Sequence, residues 1–305
     1  GMLQVMPVPT YLGESKPWGN VGEMSNSGIE LDMNYRYSIG DFNFSIGANA
    51  TYIKTILINA GNETGILDGG SFHQMGTITR GQNGMVYPYF YGYKTDGVFQ
   101  NWDEVNSYVA ADGSLIQPSA QPGDFRYKDL DGDGKITAEG DRTNLGKCVP
   151  AWTYGVNASI DWKGIDFSMV WQGVAGNKIF DGTRRTDIPT MNQPKYVLNR
   201  WTGEGSTNAY PRFTTTDPNQ NWSKASDFFI KDASYFRLKN ITLGYTLPYN
   251  WTKKVFVKKL RVYVAAENLL TLTKYDGFDP EIAGYMDRGI YPQARTFQFG
   301  ASITF

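Results

Sequence analysis

The chain has 305 residues, of which 41% are hydrophobic and 15% aromatic, enough apolar surface for a sizeable core. Its formal net charge is −1, with 29 basic and 30 acidic residues, so it lacks the long-range positive field of a nucleic-acid-binding protein. The single cysteine, Cys148, and the single histidine, His73, exclude a disulfide framework, a cysteine-rich zinc site and most histidine-based nucleophile machinery.

No apolar run approaches the roughly 18 residues of a membrane-spanning helix, and the mean hydropathy is −0.42. A transmembrane β-strand needs only about 9 to 11 residues of alternating character, so a β-barrel passes this test. The chain begins Gly1-Met2 without an export signal. We therefore expect either a cytoplasmic protein or a piece of a larger one.

Residues 1–27 are rich in Pro, Gly and Asn and are predicted to be a loop. After them, apolar and polar side chains alternate in two stretches joined by a short turn, which predicts an antiparallel hairpin. The same alternation recurs further along the chain. The predicted strands are Gly28–Tyr37, Phe42–Tyr52, Trp152–Trp162, Ile165–Trp171, Tyr235–Thr246, Leu260–Asn268 and Thr296–Phe305.

The connections between these strands alternate between short and long. The short ones are Ser38–Asp41, Lys163–Gly164 and Leu247–Lys259, and the long ones cover about 59–150, 173–234 and 269–294. Outer-membrane barrels show this asymmetry, with short periplasmic turns and long external loops. The pattern predicts an all-β fold over residues 1–305: an antiparallel up-and-down β-barrel segment of about eight to ten strands, with long extracellular loops, from a larger transmembrane barrel. A soluble β-sandwich is the alternative, but it has little reason to sort its loops by end.

The final strand carries Phe297, Phe299, Ala301, Ile303 and Phe305 on one face and small or polar residues on the other. Because the chain stops on an aromatic residue, we expect this strand to be held by a neighbour to its last residue. Its free edge has three possible fates: pairing with Gly28–Tyr37, pairing with a second copy, or remaining open.

Several passages in order along the chain resemble the C-terminal part of SusC/RagA-type TonB-linked outer-membrane transporters. They are Asn26–Glu30, Tyr91–Phe99, Pro122–Asp129, Arg200–Thr202, Pro211–Arg212, Ala233–Asn240, Asn268–Tyr275 and Phe278–Glu281.

This resemblance implies a 22-stranded barrel in the cell outer membrane, in contact with outer-membrane lipid. It further implies import of glycan or peptide fragments under a SusD-like surface lipoprotein, with energy from TonB reaching the barrel through a plug domain. The plug, the TonB-contacting box and the signal peptide are expected outside this chain, so the chain alone is not expected to transport. The resemblance also implies that Phe305 is the recognition signal for barrel assembly.

One stretch carries explicit metal-ligand chemistry. Asp129, Asp131 and Asp133 stand at alternate positions and are followed by Gly134, which matches the first half of an EF-hand loop. Lys135 would offer its backbone carbonyl. Gly140 stands where the usual closing carboxylate would be, so Asp141 is predicted to close the site through a one-residue bulge. The pattern favours Ca²⁺ over Mg²⁺, and the alternative is an Asp- and Gly-rich turn whose side chains cap their own backbone.

Ligand contact in the long loops would require aromatic faces with amide or carboxylate neighbours. The candidates are Tyr89, Tyr91, Trp102, Trp201 and Trp222. The alternative is that they pack within the loops. Arg200 and Arg212 are expected to anchor loops through backbone carbonyls.

An enzyme is not expected. Carboxylate pairs exist, such as Asp103 with Glu104 and Asp279 with Glu281, but the sequence does not place any pair across a cleft. Two functions remain: part of a complete transporter barrel, or a stand-alone β-rich binding or structural fragment. They differ in whether the purified chain stays soluble and monomeric without detergent.

Overall fold

The computed structural model describes residues 2–5, 17–184 and 192–305. Within these ranges no helix is long and apolar enough to cross a membrane. The described residues contain two short α-helices, α1 (Trp102–Ser107) and α2 (Tyr249–Thr252), and four 3-10 turns at His73–Met75, Lys195–Asn199, Asp227–Phe229 and Lys253–Val255.

Strands make up most of the regular structure in the described part of the chain. They are β1 (Met2–Val5), β2 (Trp18–Ile39), β3 (Phe42–Asn59), β4 (Ile66–Asp68), β5 (Thr79–Gln82), β6 (Tyr89–Tyr93), β7 (Thr95–Val98), β8 (Phe125–Tyr127), β9 (Arg142–Lys147), β10 (Trp152–Trp162), β11 (Ile165–Ala175), β12 (Lys178–Asp181), β13 (Ile230–Asp232), β14 (Tyr235–Thr246), β15 (Lys259–Thr273), β16 (Met286–Asp287) and β17 (Thr296–Thr304).

Eight of these strands form one sheet in the order β1-β2-β3-β10-β11-β14-β15-β17. Every neighbouring pair is antiparallel, and strands that follow one another in the sheet also follow one another along the chain, apart from the short strands inside the long connections. This is the up-and-down arrangement that the sequence predicts. The all-β prediction is confirmed, and all seven predicted strands are present.

Short and long connections lie at opposite ends of the sheet. The tightest turn, Lys163–Gly164 between β10 and β11, has φ values of +48° and +89°. Two positive φ values are characteristic of a type I′ turn, whose twist matches that of the strands it joins. The chain end lies at the same end of the sheet as the short turns, because the Lys258 amide donates to the Thr304 carbonyl at 2.8 Å.

The register carries the sequence alternation across the whole sheet. One row of partners is apolar, running Tyr35, Ile46, Ala158, Met169, Ile241, Ala266 and Phe297. The adjacent row is polar apart from one alanine and runs Arg36, Ser45, Ser159, Ser168, Thr242, Ala265 and Gln298. Ile29 is 74% exposed and Phe299 81% exposed, so no protein layer covers the apolar face at these positions.

The start of the chain departs from the sequence prediction. Of the predicted loop 1–27, residues 1 and 6–16 lie outside the described residues, but β1 and nearly half of β2, from Trp18 to Ser27, are strand. The β2 ladder with β3 continues as far as Glu23 opposite Asn59, and β1 pairs with β2 beyond that point. Ladder hydrogen bonds hold this part extended although its side chains alternate poorly, which is why periodicity missed it.

The edge strands show that the large sheet does not close on itself within the described residues. β17 pairs with β15 and β1 pairs with β2, and neither edge takes a second partner. Gly28–Tyr37 pairs with β3 on one side only, because β1 reaches β2 no further along than Gly22, and it does not pair with the final strand. The sheet is therefore open at both sides.

The three long connections are folded rather than irregular. They contain short strands in a four-stranded sheet, a three-stranded sheet and a two-stranded pair. A buried cluster draws Phe72 and Phe90 from the first connection and Phe180 and Phe229 from the second, and Tyr285 of the third packs against it. The loops therefore share a core and form a cap at one end of the sheet, which we call the loop cap.

Candidate functional site

The aspartate loop follows β8 in the loop cap. Side-chain oxygens of Asp129, Asp131 and Asp133 lie within 4.8 Å of one another. Asp129 accepts backbone hydrogen bonds from Gly132 at 2.7 Å and Gly134 at 2.8 Å. Both glycines have φ near +80°, a conformation that side-chain-bearing residues rarely adopt. The predicted convergence of the three aspartates is therefore present, on a turn that their own side chains help to hold.

Asp141 does not join that group. Its carboxylate is fully buried, and its two oxygens accept from the backbone amides of Leu130 and Thr137, each at 2.6 Å. Asp141 thus closes the loop by tying its two halves together. Both of its oxygens thus accept from backbone N–H groups, as those of Asp129 do, and its role as the closing ligand stays a prediction.

Gly140 fits this geometry closely. A Cβ atom at this position would lie 2.0 Å from Oδ2 of Asp131 and 3.0 Å from Oγ1 of Thr137. Only glycine lets the Asp131 carboxylate approach the backbone here. The lone pairs that remain on the three carboxylates are the hard oxygen donors that Ca²⁺ prefers. For Lys135, the structure shows its amide donating to Oδ1 of Asp133 at 2.9 Å.

Three of the five aromatic candidates are buried. Tyr89 is 2%, Tyr91 7% and Trp222 3% exposed. The Tyr91 ring has the guanidinium carbon of Arg80 at 3.6 Å and that of Arg142 at 4.3 Å from its centroid. Their ring faces are occupied by protein atoms. The alternative reading, packing within the loops, therefore describes these three.

The other two candidates are not fully buried, and Trp201 contacts Gln100, which lines a polar cavity. Trp102 begins α1 and is 55% exposed, and Trp201 is half-buried with its indole Nε1 donating to Gln100 Oε1 at 3.3 Å. The cavity has a volume of about 420 Å³. Its polar lining consists of Gln100, Glu104, Arg126, Glu204, Thr207 and Asn208. Ligand contact at Trp102 and Trp201 stays a prediction.

A buried ion network, which the sequence did not reveal, fastens the third long connection to the sheet. Arg237 on β14 donates to Asp279 at 2.6 Å and to Glu281 at 2.7 Å, and Lys239 donates to Glu281 at 2.8 Å. The side chains of Arg237 and Asp279 are only 4% and 3% exposed. Burial would raise the pKa of Asp279, but hydrogen bonds from Arg237 and two backbone amides hold it below its usual value. The acidic pair Asp279 and Glu281 is thus neutralised by cations and is not a free catalytic pair.

A second buried network joins the first and second long connections. The fully buried Asp124 accepts a bidentate pair from Arg212, at 2.5 and 3.1 Å, and a further hydrogen bond from Asn221 at 2.8 Å. Arg212 therefore anchors a loop, as expected, but through a carboxylate rather than a backbone carbonyl. The amides of Gln117 and Asn219 extend the network at 2.8 Å.

Comparison with known proteins shows which of them have a similar sequence and fold. The chain is 30% identical over its full length to TonB-dependent receptor P3 of Formosa agariphila, and 26% identical over 94% of its length to TonB-dependent receptor SusC of Bacteroides thetaiotaomicron. The solved RagAB peptide importer in its open-open state matches the whole chain with a TM-score of 0.75 at 24% identity, which shows the shared fold. Over its full length the chain matches a segment of TonB-dependent receptors of the SusC/RagA type. No family model matches the sequence.

The SusC/RagA-type chain spans about a third of its relatives' length: 31% of receptor P3, 27% of SusC and 31% of the RagAB chain. These relatives are receptors and an importer rather than enzymes. Receptors of this type are outer-membrane proteins, which agrees with a sheet whose apolar face is uncovered.

Proposed function

We propose that the chain forms a section of the wall, together with external loops, of a TonB-dependent nutrient importer in the outer membrane. The observation that carries this proposal is the apolar face that continues through the register of the large sheet, with a polar face opposite. In water such a face would drive aggregation, whereas in a bilayer it meets acyl chains and the polar face lines the lumen. The span of β10 and β11, 11 residues each, suits a tilted crossing.

The loop cap is proposed to lie outside the cell and the short turns in the periplasm. Cysteine labelling tests this orientation with two exposed positions, Asp112→Cys in the loop cap and Asp41→Cys in the β2–β3 turn. On intact cells, a membrane-impermeant maleimide is expected to label the first variant alone, and to label the second only after the outer membrane is permeabilised. The native thiol of Cys148 is buried and serves as the unlabelled background.

Equal labelling of both variants on intact cells would refute this orientation. Recovery of the chain in the aqueous fraction, without detergent and monomeric, would instead favour the stand-alone β-rich fragment. The two outcomes separate a wrong orientation from a wrong membrane assignment.

The proposed partners are a SusD-like surface lipoprotein over the loop cap and TonB acting through a plug domain. The proposed cargo is a glycan or peptide fragment. The similarity to receptors named TonB-dependent and to the RagAB peptide importer supports both. Cross-linking on cells followed by purification is expected to recover a lipoprotein attached to the loop cap. Recovery of the chain without any such partner would count against the assembly.

We further propose that the aspartate loop binds Ca²⁺ through Asp129, Asp131 and Asp133 and so stiffens the loop cap. Convergence of three carboxylates within 4.8 Å supports it, since like charges this close repel unless a cation lies between them. Isothermal titration with CaCl₂ is expected to show binding that Asp131→Ala weakens by about tenfold or more. Asp112→Ala, at an exposed carboxylate outside the aspartate loop, is the control. If titration of the unsubstituted protein with CaCl₂ gave no heat of binding, the proposal would be refuted.

Phe305 is proposed as the signal for barrel assembly. It follows β17 directly and is 77% exposed, so a folding factor can reach it. Phe305→Ala is expected to lower the amount of protein in the outer membrane, while Thr304→Ala next to it is not. Equal yields from the two variants would contradict this role.

A further inference from the structure

A cavity of about 520 Å³ lies between the second and third long connections. That volume falls within the range of small-molecule pockets, roughly 300 to 1,000 Å³. The residues that define its chemistry are Asp181, Tyr196, Tyr210, Tyr275, Asp276 and Phe278. None of the aromatic residues singled out from the sequence lines it.

Asp181, at the end of β12, is a cavity-lining carboxylate without a close counter-charge from the residues that the structure describes. It accepts hydrogen bonds from the amide and hydroxyl of Thr183, at 3.1 and 2.6 Å, and makes no salt bridge to any lysine or arginine among the described residues. Lys231, whose positive charge acts on Asp181, has its Nζ atom 3.8 Å from an oxygen of Asp276. Burial raises the pKa of Asp181, an effect that Thr183 and Lys231 offset only in part. A mostly buried, unpaired carboxylate favours the arrival of a cation.

Tyr196 adds a second incomplete polar group to the same cavity. Its phenol oxygen is buried and has no hydrogen-bond partner in the described part of the chain. Burial raises the pKa of Tyr196, and the negative charge of Asp181 raises it further, so the hydroxyl stays neutral and close to that carboxylate. A hydroxyl left without a partner costs stability unless a ligand or water supplies one.

Aromatic rings form much of the remaining wall. The rings of Tyr196 and Tyr210 have centroids 6.3 Å apart, and Phe278 is 68% exposed. Cations bind favourably over such ring faces, more strongly where water is excluded. Two further charged residues line the cavity. Asp276 lies 3.8 Å from the Nζ atom of Lys231, and Lys195 is exposed.

We propose that this cavity binds the ammonium group of a basic side chain in a peptide, with Asp181 as its counter-charge and the tyrosine rings around it. The inference rests on the proposed importer function and gives it a cargo class, peptides that carry a lysine-like cation. A neutral glycan would fill the volume but leave Asp181 unpaired.

Isothermal titration of the detergent-purified protein tests this with three probes. Glycyl-lysyl-glycine carries the cation, glycyl-norleucyl-glycine has a similar aliphatic side chain without it, and maltotriose represents a neutral glycan. The lysyl peptide is expected to bind about tenfold or more tighter than the norleucyl peptide, because a charged hydrogen bond and ring contacts are lost together. Equal affinity for the two peptides, or binding of maltotriose alone, would overturn the proposal.

Variants assign the effect to this cavity. Asp181→Asn keeps an oxygen for Thr183 and removes the charge, so it is expected to abolish the preference for the lysyl peptide, and Phe278→Ala is expected to weaken binding several-fold. Asp112→Asn is the matched control, because Asp112 accepts from the amide and hydroxyl of Ser114 at 2.9 and 2.6 Å, as Asp181 does from Thr183. Retention of the preference in Asp181→Asn would refute the assignment.

Failure here is distinguishable from failure of the importer proposal. Cysteine labelling on cells reports membrane position and orientation without any ligand. Correct labelling with no discrimination between the peptides would overturn the cavity's role and leave the importer standing.

Discussion

Replacing Arg237 tests how the third long connection is held to the sheet. Arg237→Met keeps the apolar stem but leaves Asp279, whose side chain is 3% exposed, buried without its cation. Removing one partner of a buried ion pair typically costs about 3 to 5 kcal/mol. The loss is expected locally, over residues 276–293, because Asp279 also accepts from the Gln293 amide at 2.8 Å and so organises that connection.

Hydrogen exchange followed by mass spectrometry measures this loss directly. A cost of about 3 to 5 kcal/mol corresponds to exchange faster by roughly two to four orders of magnitude in peptides covering 276–293. The control is Arg261→Met, which breaks the half-exposed pair between Arg261 and Asp166, with side chains 28% and 30% exposed. Such a pair contributes about 1 kcal/mol or less.

Adding Asp279→Asn to Arg237→Met removes the stranded charge and is expected to restore more than half of the lost protection. Equal exchange in Arg237→Met and Arg261→Met would refute the reasoning that burial decides the cost. No recovery in the double variant would show that the loss comes from packing rather than from the unpaired carboxylate.

Three further predictions concern residues of the loop cap. Because the folded-state pKa of Asp279 is lowered, its stabilising contribution is complete above its unfolded-state pKa and disappears as pH falls through the lower folded value; exchange protection of 276–293 should therefore fall on acidification, and a rise would contradict this. Gly140→Ala places a Cβ 2.0 Å from Oδ2 of Asp131, so titration should show weaker calcium binding although no ligand is removed; unchanged affinity would mean that Asp131 is not held there. Burial raises the pKa of Cys148, so a thiol reagent at mildly alkaline pH should label it after denaturation and leave it unlabelled in the folded protein; rapid labelling of the folded state would contradict the buried position.

The large sheet was predictable because its strands obey a two-residue period over long stretches. The predicted Trp152–Trp162 coincides with β10, and the predicted Tyr235–Thr246 with β14. Strand ends were less predictable. β11 continues past Trp171 to Ala175 and β15 past Asn268 to Thr273, where ladder pairing, not alternation, holds the backbone extended.

The loop cap could not be predicted to the same extent. Its strands are as short as two residues and pair across long stretches of sequence, as β12 does with β16. No periodicity develops over such lengths, so turn-rich composition was the visible signal. Phe90 and Phe229 meet in one core although 139 positions separate them in the sequence.

The candidate sites differ in the same way: one is a local sequence motif, and the others depend on contacts between distant segments. The aspartate loop is a local motif, and its three carboxylates converge as predicted. Contacts between distant segments decide the burial of Tyr89 and Trp222 and the pairing of Arg212 with Asp124. They also decide that Asp181 has no salt bridge among the described residues. A sequence pattern identifies aromatic and charged residues, but these contacts decide which of them face a cavity.

The central claim, that the large sheet faces lipid on one side, is tested most directly on β17. Spin labels placed one at a time at Phe297, Gln298, Phe299, Gly300 and Ala301 in the membrane-bound protein report their accessibility to oxygen, which dissolves in lipid, and to a water-soluble nickel complex. A sheet with one lipid-facing side should give a two-residue alternation, with oxygen accessibility highest at Phe297, Phe299 and Ala301 and nickel accessibility highest at Gln298 and Gly300 between them. Equal accessibility of all five positions to the nickel complex would contradict it.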